Sequence, residues 1–101
     1  MPNTNYLSGR RAEYKLKREM ETYGLIVLRT AGSHGPFDLI GIQPSLPIVV
    51  RFIQVKSIKG KGSVSAAINQ FVRKPPLCGA PGVYVQEIWV RKGGKWFSKS
   101  I

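Results

Sequence analysis

The chain is short of acids. Its 101 residues hold five Asp and Glu against sixteen Lys and Arg, a formal charge of +11. Such an imbalance argues against an acidic partner's opposite, a basic one, and points to a polyanion, most readily nucleic acid. A basic protein with a ribosome-like structural role would carry the same charge. Cysteine is nearly absent. Cys78 stands alone, so neither an internal disulfide nor a thiolate metal cluster can form. No apolar run reaches membrane-spanning length, and the segment Met1 to Asn5 has no signal-peptide core. These absences predict a cytoplasmic or nucleoid-associated protein with no membrane partner. The single histidine, His34, falls in a loop and is read as plain surface. What remains is 43% hydrophobic, enough for one globular domain over residues 1–101.

The most β-prone stretch is Ile48 to Ser57, and the rest of the chain is read around it. Ahead of it, Ser8 is a candidate N-cap for a helix running to Tyr23, with Ala12, Leu16, Met20 and Tyr23 on one stripe and Arg11, Lys15, Arg18 and Thr22 opposite. Glu13 and Glu19 border the two edges of that stripe, and periodicity does not choose between them. Gly24 closes the helix. Strands are expected over Leu25–Thr30, Phe37–Ile42 and Ile48–Ser57. A short helix is expected over Ser63–Arg73, stopped by Pro75-Pro76, with Ala66, Ala67, Ile68, Phe71 and Val72 available for burial. Strands over Val83–Arg91 and Trp96–Ser98 flank the turn signal Lys92-Gly93-Gly94-Lys95. The order α-β-β-β-α-β-β predicts an α/β fold with a mixed sheet of five strands flanked by helices.

The central run ends unexpectedly. Gln54 and Lys56 share one face of a strand that is otherwise apolar, about 6–7 Å apart by strand geometry. An amide and an amine there are costly to bury without partners. The one aspartate, Asp38, heads the preceding strand. Asp38 and Gln54 on adjacent strands can offer oxygens to a hard divalent cation such as Mg²⁺. Lys56 can orient a water or offset charge on a phosphate. Glu13, from a helix across the sheet, can add a second carboxylate. Taken singly, each has a blander reading. Glu13 would pair with Lys17, Asp38 would stabilise a turn, and Lys56 would be a solvated strand end.

An acid on one strand with Gln-x-Lys on the next resembles the core of the PD-(D/E)xK, restriction-endonuclease-like superfamily. A closer resemblance, covering residues 8–57, is to archaeal-type Holliday junction resolvases. It rests on Gly9-Arg10-Arg11-Ala12-Glu13, Gly24 to Arg29, Gly32-Ser33, Asp38-Leu39-Ile40-Gly41 and Gln54-Val55-Lys56-Ser57. The resemblance implies a homodimeric, Mg²⁺-dependent endodeoxyribonuclease that nicks four-way DNA junctions, with Mn²⁺ as a substitute ion. It matches the family's helix glutamate to Glu13, its loop serine to Ser33, its metal aspartate to Asp38 and its lysine to Lys56. The expected catalytic set is therefore Glu13, Ser33, Asp38, Gln54 and Lys56, with Glu13, Asp38 and Gln54 on the metal. Arg10, Arg11, Arg29, Lys59, Lys61, Arg73 and Lys74 are expected to contact DNA. The family has Glu where this chain has Gln54, which removes one negative charge from the metal site. That departure keeps a second expectation open: a non-catalytic nucleic-acid-binding module on the same fold. A third is a nuclease acting on nicked, flapped or linear DNA. Trp89, Trp96, Phe97 and Ile101 are candidates for a dimer surface, or for core.

Overall fold

A computed structural model describes residues 4–30, 36–76 and 84–101. In chain order the elements are α1 (Thr4–Thr22), β1 (Ile26–Arg29), β2 (Leu39–Gln43), β3 (Val49–Ser57), α2 (Val64–Arg73), β4 (Tyr84–Lys92) and β5 (Lys95–Ser100). The five strands make one sheet in the order β1-β2-β3-β4-β5. Every neighbouring pair is antiparallel except β3 and β4, which run parallel. Parallel neighbours cannot be joined by a tight turn, and α2 supplies the crossover. The protein is thus α/β, with a mixed five-stranded sheet and two helices, in the order expected from the sequence.

α1 differs from expectation at both ends. It begins at Thr4, so Ser8 lies inside the helix and is not its cap. Nothing between Thr4 and Ser8 breaks a helix, since the nearest proline is Pro2. At the other end Gly24 has φ +87°, and its N–H donates to the Glu21 carbonyl at 3.0 Å while the Leu25 N–H donates to the Met20 carbonyl at 3.3 Å. That pair of bonds is a Schellman closure, which only glycine makes without strain. Tyr23, expected on the apolar stripe, lies past the last helical residue and is 84% exposed. Ala12, Leu16 and Met20 are buried against Val27, Leu39, Ile53 and Val55. Burying a side chain such as Leu16 or Ile53 contributes about 1.5–3 kcal/mol.

The other face of the sheet holds a second core. Phe71 of α2 packs with Phe37, Ile88 and Val90, and Phe52, Ala67 and Ile68 fill in around them. Ala66 and Val72, expected to be available for burial, are exposed on the side of α2 turned away from the sheet. α2 starts where the sequence indicates: Ser63 caps it, its Oγ accepting from the Ala66 N–H at 3.1 Å, a bond worth about 1 kcal/mol. β3 therefore serves two faces. Ile53 and Val55 point to α1, while Phe52, Gln54 and Lys56 point towards α2.

Strand limits shift by a residue or two. β1 starts at Ile26 and β3 at Val49; β4 is seen from Tyr84, and Val83, its expected start, lies outside the described residues. β2 starts at Leu39, but the residue just ahead of it stays bonded to both neighbours. There Asp38 donates its N–H to the Ile53 carbonyl and gives its own carbonyl to the Thr30 N–H. β5 runs over Lys95–Ser100, longer than expected, and is the edge strand expected. Trp89 and Trp96, offered above as dimer or core residues, pack edge-to-face against the first core, with ring centroids 6.1 Å apart.

Candidate metal and nucleic-acid site

The site is built where β2 and β3 part. Their ladder ends at the pair Leu39 and Ile53. Beyond it the Val55 N–H has no main-chain acceptor on β2, and the Asp38 carboxylate takes that place, with Oδ2 accepting at 2.8 Å. Thr30 holds the approach: its hydroxyl donates to the Phe37 carbonyl at 2.7 Å. So Asp38 is fixed at the end of β1 and between the faces served by the two helices.

Glu13 reaches the same place from α1. Arg29, at the end of β1, donates from Nε to Glu13 Oε1 at 3.1 Å. Lys17, the partner a lone Glu13 would have taken, instead pairs with Glu21 at 3.0 Å. Glu13, and not Glu19, is thus the helix acid at the site. Burial holds the Glu13 carboxyl above its usual range, and the negative charge of Asp38 adds to this, while Arg29 and Arg10 offset part of it. Burial also raises Asp38, against the opposing effects of the Val55 N–H, Arg29 and Lys56. Two desolvated carboxylates that repel each other, beside a lysine, are groups that a cation would relieve.

Lys56 acts electrostatically on Asp38 and lines a cavity of about 130 Å³ with Gln54, Gln70 and Lys74. Gln54 joins the set through that cavity. The structure therefore brings together Glu13, Asp38, Lys56, Arg10 and Arg29, with Gln54 adjoining on the α2 side. Ser33 and His34 lie outside the described residues. Lys59 and Lys61 are exposed in the turn just past the end of β3, and Arg73 and Lys74 end α2. Arg11 stands apart, on the outer face of α1 beside Tyr14, Lys15 and Arg18.

Tyr14 is a residue that sequence reasoning missed. The Arg29 and Arg10 guanidinium groups lie 5.0 Å and 5.7 Å from its ring centroid. Its phenol is held below the usual range, first by a hydrogen bond from Arg10 and then by both positive charges. One signal was available: Arg10 and Tyr14 are four apart, hence neighbours on a helix.

No family model, curated protein or solved structure matches this chain. No cluster of three or more His, Cys, Asp or Glu occurs among the described residues. A bound cation would take oxygens from Glu13 and Asp38 and complete its shell from neutral donors such as the Gln54 amide. An all-oxygen donor set with two carboxylates fits Mg²⁺, which usually keeps waters and substrate phosphate oxygens in its shell. No helix among the described residues is long and apolar enough to cross a membrane.

Proposed function

We propose that the protein is a Mg²⁺-dependent endodeoxyribonuclease of the restriction-endonuclease-like kind that acts on four-way DNA junctions. The observation that carries this reading is the convergence of Glu13, Asp38 and Lys56 at the point where β2 and β3 separate. Supporting it are the +11 charge, the order of elements and the resemblance of motifs over residues 8–57 to those of the resolvases. Glu13 and Asp38 would hold the cation, with the Gln54 carbonyl oxygen beside them. When bound, such an ion polarises a phosphate and acidifies the attacking water. Lys56 places positive charge next to Asp38, where a scissile phosphate would lie. Arg29 keeps Glu13 in place. Lys59, Lys61, Arg73 and Lys74 would hold flanking phosphates, which position DNA without reading its sequence.

The test is a labelled four-way junction and a matched linear duplex, each incubated with and without Mg²⁺. Cleavage of the junction alone, and only with the metal, is the expected result. Binding without cleavage under any divalent ion would instead favour a non-catalytic module on this fold, the reading that Gln54 supports. A homodimer belongs to the same proposal, because paired nicks need two sites related by a two-fold axis. Ile26 and Leu28 of the edge strand β1, 52% and 55% exposed, offer an apolar surface for it. Sedimentation should return twice the 11.2 kDa chain mass. A monomer both alone and on DNA would favour single-strand nicking.

Gln54→Glu should lower the Mg²⁺ concentration for half-maximal cleavage several-fold, since it replaces an amide dipole by a charge. The maximal rate need not rise, because a carboxylate there can pair with Lys56. A Mg²⁺ titration of both proteins separates the two effects. An unchanged metal requirement would place Gln54 outside the metal shell.

A further inference from the structure

Two grooves on the α2 side share a wall. The smaller is the cavity that Gln54 and Lys56 line. The larger, about 670 Å³, runs along the exposed side of α2 and is lined by Ser63, Ser65, Asn69, Gln70, Arg73 and Lys74. Gln70 and Lys74 border both, so the two form one trench leading away from the candidate site. Among the described residues, three cations line it and no acid does. Its other polar groups are amides and hydroxyls, which bond phosphate and sugar oxygens as readily as cations do. Asn69 and Arg73, and Gln70 and Lys74, form two rows at helical spacing of four, each row an amide followed by a cation. Each row spans about 6 Å along the helix. The ten residues of α2 extend for about 15 Å, long enough to follow a short stretch of one strand's backbone. The apolar side of α2 is already spent on Phe71, Ala67 and Ile68 in the second core, so the trench offers little to a hydrophobic partner.

We propose that this trench holds the sugar-phosphate backbone of a DNA strand continuing from the phosphate at Lys56, with Asn69 and Gln70 as its uncharged donors. The proposal rests on the reading of Lys56 as facing a phosphate, and its test does not require cleavage. Anisotropy binding of the four-way junction and of linear duplex is measured without divalent metal, over a range of salt. Asn69→Ala/Gln70→Ala should weaken both about tenfold at fixed salt and leave the slope of log affinity against log salt unchanged, because neutral residues release no counterions. Arg73→Ala/Lys74→Ala should weaken binding and reduce that slope by about two. Shortening the DNA on one flank should cost wild type affinity that the Asn69→Ala/Gln70→Ala protein has already lost, a non-additive cycle.

Asn69 and Gln70 are exposed, so an unchanged melting curve is expected. Asn69→Asp, which keeps the shape and adds a negative charge, should weaken binding further. Affinity within twofold of wild type for Asn69→Ala/Gln70→Ala, or additive losses on both flanks, overturns the trench. A partner other than nucleic acid, such as an acidic peptide, would give the first of these results. If Asp38→Asn cleaves normally while the trench variants lose affinity, the catalytic reading fails and the trench stands. The opposite pattern removes the trench and leaves the catalytic site.

Discussion

Asp38→Asn should lower junction cleavage by about 10²–10³-fold or more, the range seen when one preorganised catalytic group is lost. Binding should stay within a few-fold, because phosphate contacts come from basic residues that the change leaves in place. The same substitution should stabilise the fold at neutral pH. The Asp38 carboxyl is held above its ordinary range, chiefly by burial. The native state therefore binds that proton more tightly than the unfolded chain does. Stability from this group is fully present below the unfolded pKa and is lost as pH rises through the higher native value. At pH 7 the ionised carboxylate is a net burden, and asparagine removes the charge while keeping an oxygen for the Val55 N–H. The melting temperature should rise by about 2–5 °C at pH 7. The gain should fade only as pH falls below about 4, where aspartic acid becomes neutral in the unfolded chain as well. Cleavage at the wild-type rate would remove Asp38 from the site. A lower melting temperature at pH 7 would mean that attraction to Arg29 and Lys56 outweighs burial.

Glu87→Ala should destabilise the protein by about 3–5 kcal/mol, against a total of about 5–15 kcal/mol for a domain of this kind. Glu87 is buried, at 5% exposure, on the α1 face of β4. Both its oxygens are engaged by Arg51 of β3, one of them from Nη2 at 2.8 Å, and Trp89 donates from Nε1 at 2.9 Å. The carboxylate beside it raises Arg51 further above its ordinary range, more than burial lowers it. Removing Glu87 leaves a guanidinium and an indole N–H without their acceptor. Replacing both partners together, Arg51→Met/Glu87→Leu, should cost far less, because no buried charge then lacks a partner. Denaturant unfolding of the two single variants and the double completes the cycle. If the double loses as much as the sum of the singles, the pair contributes no coupling.

The elements could be read from the sequence because their signals are local. Gly24, Ser63, Pro75 and the Gly93-Gly94 turn each act within a few residues, and the period of α1 selects Ala12, Leu16 and Met20 without any knowledge of the sheet. The pairings could not be read the same way. Periodicity did not choose between Glu13 and Glu19; only the resemblance picked Glu13, and its partner Arg29 lies sixteen residues away. Arg51 and Glu87 lie 36 residues apart, and no local pattern links them. Asn69 and Gln70 carry no motif at all, and only the placing of α2 sets Gln70 beside Lys56. Asp38 and Lys56 could be named together because strand alternation and the resemblance pointed to the same positions, and the fold sets the Lys56 charge near Asp38.

The Arg51 and Glu87 contact also bears on how β4 finds its place. β4 carries large apolar groups on both faces, with Ile88 and Val90 towards α2 and Trp89 towards α1. Such a strand could slide by one residue along β3 and still bury hydrophobic surface on each side. A slip of one exchanges its faces, and it would send the Glu87 carboxylate in among Phe71 and Phe37 with no cation to meet it. The ion pair is thus a register pin. It penalises the misaligned sheet more than it rewards the native one, and it fixes β4 relative to the end of β3, where Gln54 and Lys56 stand.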